Sequence, residues 1–133
     1  MSKRILINGT FDIIHTGHIK MINFAREIGD VVIMAIDSDR RVKELKGEGR
    51  PINTQEERKL LLEQFRWVAK VHIFDTDEEL INIIKEEKIW GMVKGTDYIG
   101  KPVVGREFIP NMIWFDRIDG YSTTQKIQDI TNR

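Results

Sequence analysis

The 133-residue chain carries 21 Lys+Arg against 21 Asp+Glu, a formal charge of zero, so no overall positive field recruits nucleic acid or an anionic membrane. It has no cysteine, which excludes a disulfide framework, a thiolate metal cluster and a cysteine nucleophile. The length suits one domain spanning the chain with a real core, and no apolar run approaches the ~20 residues of a membrane span. The expectation is a soluble, unprocessed cytoplasmic protein.

In chain order, short β-branched runs alternate with segments of helical period. Strands are expected at Arg4–Asn8, Val31–Asp37, Val71–Phe74, Gly91–Lys94 and Met112–Phe115. Helices are expected at Gly17–Ile28, Gln55–Phe65, Asp77–Glu87 and Thr123–Ile130. Capping-box pairs open the last three: Thr54 with Glu57, Thr76 with Glu79, and Ser122 with Gln125. Polar loops fill Ser38–Asn53 and Gly95–Gly105. This alternation predicts an α/β fold, a five-stranded parallel sheet covered on both faces, which in the order 3-2-1-4-5 would bring the first and fourth strands together. Trp67, Trp90, Trp114, Phe65 and Phe74, at element ends among apolar neighbours, are expected in the core or in a dimer contact.

The chemically unusual residues all follow strands. NGTFDIIHTGH follows the first, RRVKELKGEGRP the second, KGTDY the fourth and DRIDGYSTT the fifth. In an open parallel sheet the carboxyl edge holds the ligand, at the switch point where strand order reverses, here between the first and fourth strands. Gly9 and Gly17 allow close backbone approach, and the helix after them turns its N–H groups and positive dipole end toward that edge. His15 and His18 beside it suit hydrogen bonds to phosphate oxygens. A zinc site needs a third ligand, and His72 lies in a strand on the far side of the sheet order. A buried core role is common for one histidine and much less so for two bracketing a glycine.

Other positive groups converge on the same edge. Gly120 and Ser122-Thr123-Thr124 open the C-terminal helix, with Arg117 close before them; by itself this is an ordinary N-cap. Lys43, Lys46 and Arg50 lie in the long loop with Gly47, Gly49 and Pro51; the bland reading is a solvated surface, the sharper one a flap over a polyphosphate. Two helix ends and a basic loop together point to a nucleoside triphosphate. Asp12 and Asp37, at strand ends, are candidates for orienting a lysine or histidine. Gly95 to Lys101 satisfies GxxxxGK, but Pro102 stands where a P-loop needs Ser or Thr, and no GxGxxG fingerprint is present.

GTFDIIHTGH, LKGEGRPINTQEER, VKGTDY and DGYSTT, in this order and over nearly the whole chain, resemble the cytidylyltransferase-like nucleotidyltransferases, whose mark is an HxGH signature after the first strand. Within that superfamily the KGEGRPIN, VKGTDY and GYSTT elements most resemble the nucleotidyltransferase domain of ADP-heptose synthases. Glycerol-3-phosphate cytidylyltransferases come second, on the strength of Thr10 and Arg117. The resemblance implies transfer of a nucleotidyl group from ATP to a heptose 1-phosphate, with CTP and glycerol 3-phosphate as the alternative pair. It also implies a Rossmann-like doubly wound fold, Mg2+ as the triphosphate's counterion, no metal held by the protein itself, and a homodimer.

Site roles follow from the same resemblance. His15, His18 and Lys46 would be catalytic, holding the α-phosphate and neutralising the leaving pyrophosphate with Lys43, while Ser122 and Thr123 cradle the β and γ groups. Gly9, Thr10, Phe11, Lys94, Gly95 and Asp97 would complete the nucleotide site, together with Arg117, Gly120 and Tyr121. Asp12, Asp37, Arg50 and Tyr98 would border the acceptor. A rival of another class is a nucleotide-binding module that keeps affinity without turnover; intact His15, His18, Lys46 and Ser122 argue against it.

Overall fold

The computed structural model describes residues 2–116. The expected helix at 123–130 and the capping pair Ser122 and Gln125 lie outside them. Five parallel strands, β1 (Arg4–Gly9), β2 (Val31–Asp37), β3 (Val68–Phe74), β4 (Gly91–Gly95) and β5 (Asn111–Phe115), form one sheet ordered β3-β2-β1-β4-β5. This is the expected Rossmann-like topology. Helices α1 (Thr16–Ile28), α2 (Asp39–Lys46), α3 (Gln55–Glu63) and α4 (Asp77–Glu86) connect them, with three-residue 3-10 turns at Thr96–Tyr98 and Arg106–Phe108.

Strand alternation builds two cores. Ile5 and Ile7 of β1, Met34 and Ile36 of β2, and Val93 of β4 pack with Ile22 of α1 and Leu62 of α3. Leu6, Ile33, Ala35 and Met92, one residue out of phase, pack on the other face with Leu80, Ile83 and Ile84 of α4. The strands are apolar nearly throughout because both faces are covered.

Two expectations need correction. β3 begins at Val68, three residues before the expected Val71, because its early part pairs with β2 through the irregularity at Val32/Ile33 while Ala69 and Lys70 stay exposed. The segment read as loop from Ser38 begins with helix α2. Ser38 caps it by accepting Arg41 N–H through Oγ, and Val42 is its buried apolar residue. Ion pairs supply the rest of its anchoring: Arg41 to Asp37 and Asp77, and Arg40 to Asp75, at 2.8–2.9 Å. The basic segment therefore stands on an anchored helix as far as Lys46 and is not a flap over that stretch. Of the aromatics, Phe74 is buried, Phe65, Trp90 and Trp114 are partly buried, and Trp67 is exposed with Arg26 over its ring.

Candidate active site

At the carboxyl edge of the sheet, where β1 and β4 meet, lies a cavity of about 350 Å3. Such volumes suit a small organic ligand. Gly9, Thr10, Phe11, His15 and His18 come to it from the β1–α1 segment. Asp37, Arg41 and Lys46 come from the end of β2 and from α2, and Lys94, Gly95 and Tyr98 from the end of β4.

The β1–α1 segment is shaped by a strained turn. Phe11 has φ +52°, a left-handed conformation that costs a non-glycine residue about 1–2 kcal/mol. Its ring is buried and packs 4.9 Å from the His18 ring. Asp12 then points inward, fully buried, accepting the backbone N–H groups of Ile52 and Asn53 at 2.7 Å each. Asn53 Nδ2 donates to the Asp12 carbonyl at 2.7 Å, so the turn is bound to the 50–53 segment.

The two histidines cap α1. His15 Nδ1 accepts Gly17 N–H at 3.0 Å, and His18 Nδ1 accepts His15 N–H at 3.3 Å, a capping box in which both side-chain members are imidazoles. Their rings stack with centroids 4.0 Å apart. An Nδ1 that accepts carries no proton, so in the neutral ring the proton sits on Nε2. Each imidazole is thereby set as an Nε2–H donor beside the positive end of α1.

Asp37 closes the β2 side. Its Oδ2 accepts from Thr10 Oγ1 at 3.2 Å and its Oδ1 from Arg41 Nε at 2.9 Å. The carboxylate therefore links the first motif to α2, whose last turn carries Lys43 and Lys46. Lys94 is partly buried with its ammonium 4.6 Å above the Tyr98 ring. Burial lowers its proton affinity more than the charges of Asp37 and Asp97 raise it.

Not every expected residue reaches the cavity wall. Lys43 and Asp97 are exposed and outside the lining. Asp12 and Arg50, expected at the acceptor, are likewise not among the lining residues. Asp12 is committed to backbone amides, and Arg50 Nε lies 3.7 Å from Asp12 Oδ2, away from the lining. Arg117, Gly120, Tyr121, Ser122 and Thr123 lie outside the described residues.

Arg58 escaped the sequence reading. Fully buried on α3, its guanidinium donates to the carbonyls of Thr10 (2.9 Å), Asp37 (2.7 Å) and Asn53 (3.1 Å), and to Asp39 Oδ1 (2.8 Å). It ties together the ends of β1 and β2, the start of α2 and the 50–53 segment. The signal available was an arginine four residues before Leu62 on a helix that packs on the sheet, and an arginine in that place reads as surface.

As a metal site the region is poor. Among the described residues no three His, Asp or Glu side chains cluster to hold an ion. His72, on β3, is bound instead to Glu87, with Nε2 2.6 Å from Oε2. Asp37, the carboxylate on the cavity wall, is already held by Thr10 and Arg41. These donors fit Mg2+ only as a counterion carried by phosphate oxygens, the usual habit of this ion at nucleotide sites.

A doubly wound sheet with donors, cations and a helix end gathered at its switch point defines a phosphate-handling, nucleotidyltransferase-like domain. A family model described as cytidylyltransferase-like matches residues 6–126, and the chain belongs to that family. It is 47% identical over 126 residues to the bifunctional protein HldE of Campylobacter fetus, which covers 95% of this chain and 27% of that protein. The bifunctional protein HldE of Campylobacter concisus is 44% identical over 133 residues, covering 98% and 28%. The chain thus spans about a quarter of the length of these curated relatives. Among solved structures, a lipopolysaccharide core biosynthesis protein from Thermoplasma volcanium superposes with TM-score 0.69 at 18% identity, over 90% of this chain and 100% of that one. A bifunctional NMN adenylyltransferase/ADP ribose pyrophosphatase from Francisella tularensis gives 0.69 at 19%, over 99% and 43%. At such identities the likeness concerns the fold.

Proposed function

We propose that the chain transfers the adenylyl group of ATP to the phosphate of a heptose 1-phosphate. The observation that carries the reading is the paired-histidine cap of α1, in which both Nδ1 atoms accept backbone N–H groups and both imidazoles line the switch-point cavity. An acceptor phosphate oxygen attacks the α-phosphorus; the bond to the β-phosphate oxygen breaks and pyrophosphate leaves with the electron pair. No covalent intermediate with the protein is needed. Positioning and electrostatic stabilisation supply the rate.

In this scheme His15 and His18 hold the α-phosphoryl oxygens, and Lys46, with Lys43, balances charge shifting onto pyrophosphate. Ser122 and Thr123 cradle the β and γ groups, with Arg117, Gly120 and Tyr121 beside them, and Mg2+ accompanies the triphosphate. Similarity to the HldE proteins over nearly the whole chain supports ATP and a heptose phosphate over CTP and glycerol 3-phosphate. A cytoplasmic homodimer completes the proposal; among the described residues no helix is long and apolar enough to cross a membrane, and sedimentation velocity tests the oligomeric state.

Mass spectrometry of products from ATP and CTP, each with heptose 1-phosphate and glycerol 3-phosphate, tests the reading. An ADP-sugar with stoichiometric pyrophosphate is expected. CDP-glycerol alone would transfer the assignment to the second acceptor pair, and tight nucleotide binding without pyrophosphate from any pair would favour a non-catalytic module.

A further inference from the structure

Two polar groups on the cavity wall have no bonding partner among the described residues. Asn8 Oδ1 is buried without a hydrogen bond. The Lys94 ammonium has Asp37 and Asp97 acting on it only through space, and it lies over the Tyr98 ring. Buried acceptors and buried charges left in this condition are costly, and in native structures such groups are completed by water or by a bound molecule.

Their arrangement is set by the sheet. Ile7 pairs with Val93, so the next residues, Asn8 and Lys94, stand side by side on adjacent parallel strands. Ile7 and Val93 belong to the core under α1 and α3, whereas Leu6 and Met92 belong to the core under α4. By alternation Asn8 and Lys94 face the α4 side, across the sheet edge from the histidine cap. That half of the cavity is walled by Phe74, Leu80, Val103 and Val104. Two arginines nearby are committed, Arg41 to Asp37 and Asp77 and Arg58 to three carbonyls and Asp39, and Lys46 is assigned above to the pyrophosphate.

We propose that Asn8 and Lys94 are the acceptor-recognition pair, Lys94 receiving the acceptor's phosphate and Asn8 Oδ1 accepting a hydrogen bond from a hydroxyl neighbouring that phosphate. This rests on the nucleotidyl-transfer reading above. It separates the two substrates by face: nucleotide α-phosphate on the α1 side, acceptor on the α4 side, so that attack and departure lie on opposite sides of the phosphorus. It also excludes acceptors lacking a hydroxyl beside the phosphate, because Asn8 would then stay unpaired.

The test compares Lys94→Met, Lys94→Arg and Asn8→Leu with the unaltered chain, after thermal melts establish folding. Calorimetry measures binding of a non-hydrolysable ATP analogue, and then of heptose 1-phosphate, its 2-deoxy counterpart and glycerol 3-phosphate with the analogue present. Lys94→Met should weaken every phosphomonoester roughly 10- to 100-fold, the range of a charge-assisted hydrogen bond, with Lys94→Arg recovering part of the loss. Asn8→Leu should weaken the hydroxylated acceptor roughly tenfold and leave the deoxy counterpart unchanged. Analogue affinity should stay within about twofold in all three, because neither side chain faces the α1 end; for Lys94 the acceptor role replaces the nucleotide-site role expected from the sequence. Lost analogue affinity with unchanged acceptor binding would overturn the inference, as would unchanged binding of both. If the unaltered chain binds both ligands but releases no pyrophosphate, the transfer reading fails while these binding results still decide the roles of Asn8 and Lys94.

Discussion

His18 Nδ1 accepts the backbone N–H of His15 at 3.3 Å while the two imidazoles stack at 4.0 Å, so each histidine of the motif fixes the orientation of the other. One prediction separates capping from catalysis. Asparagine at position 15 still offers an oxygen to the α1 cap but no Nε2–H, so His15→Asn should keep its melting temperature and lose roughly 10²–10³ in kcat, about 3–4 kcal/mol of barrier. His15→Ala should show the same rate loss and about 1 kcal/mol lower stability in addition. His18→Ala should behave like His15→Ala. Denaturant titration alongside pyrophosphate-release kinetics checks all three, and near-normal turnover in the asparagine variant would refute a phosphate-donor role for His15.

Lys46 ends α2 and is exposed. Its charge near the helix C-terminus contributes less than about 1 kcal/mol to the fold. Lys46→Ala should therefore cost roughly 10- to 100-fold in kcat/KM with a small stability change, the difference being the charge-assisted bond to phosphate. Equal losses of stability and activity would indicate a structural lysine.

Arg58 makes the opposite prediction. Arg58→Met would leave the carbonyls of Thr10, Asp37 and Asn53 and the Asp39 carboxylate without their donor. The expected cost is about 3–5 kcal/mol in urea unfolding. Arg58→Lys should recover little of it, because a single ammonium cannot reproduce the planar fork. A loss below about 1 kcal/mol for Arg58→Met would show that water replaces the guanidinium.

The far end of the sheet predicts a pH dependence. Burial pushes the Glu87 carboxyl up, but hydrogen bonds from His72 and Arg4, with the charges of His72 and Lys70, outweigh it and hold the group below its ordinary value. The unfolded chain therefore takes up this proton first on acidification. Glu87 contributes stability that is fully present above about pH 4.5 and is lost as pH falls through the lower folded-state value. Glu87→Gln should be less stable than the parent at pH 7, and the gap should shrink below pH 4.5. Melting temperatures across pH 3–7 measure this, and a constant gap would remove Glu87 from the acid response.

How much of this was legible in the sequence depends on where the stabilising partners sit. The strand–helix alternation of a parallel sheet and the placing of His15 and His18 at a helix entrance followed from apolar runs of strand and helix period, since residues near in sequence supply those signals. α2 was read as loop because RRVKELK has one buried apolar residue, Val42, and its anchors Asp75 and Asp77 come from beyond β3. Asp12 was read as facing the ligand because only the folded chain brings Ile52 and Asn53 to its carboxylate. Arg58 was missed for the same reason: a buried cation is recognised by the carbonyls around it, and these come from three separate segments. Sequence periodicity determined which edge of the sheet holds the chemistry. Tertiary structure decided which polar side chains there face the cavity and which hold the chain together, because a polar group's role is set by the partners that packing brings within about 3 Å of it.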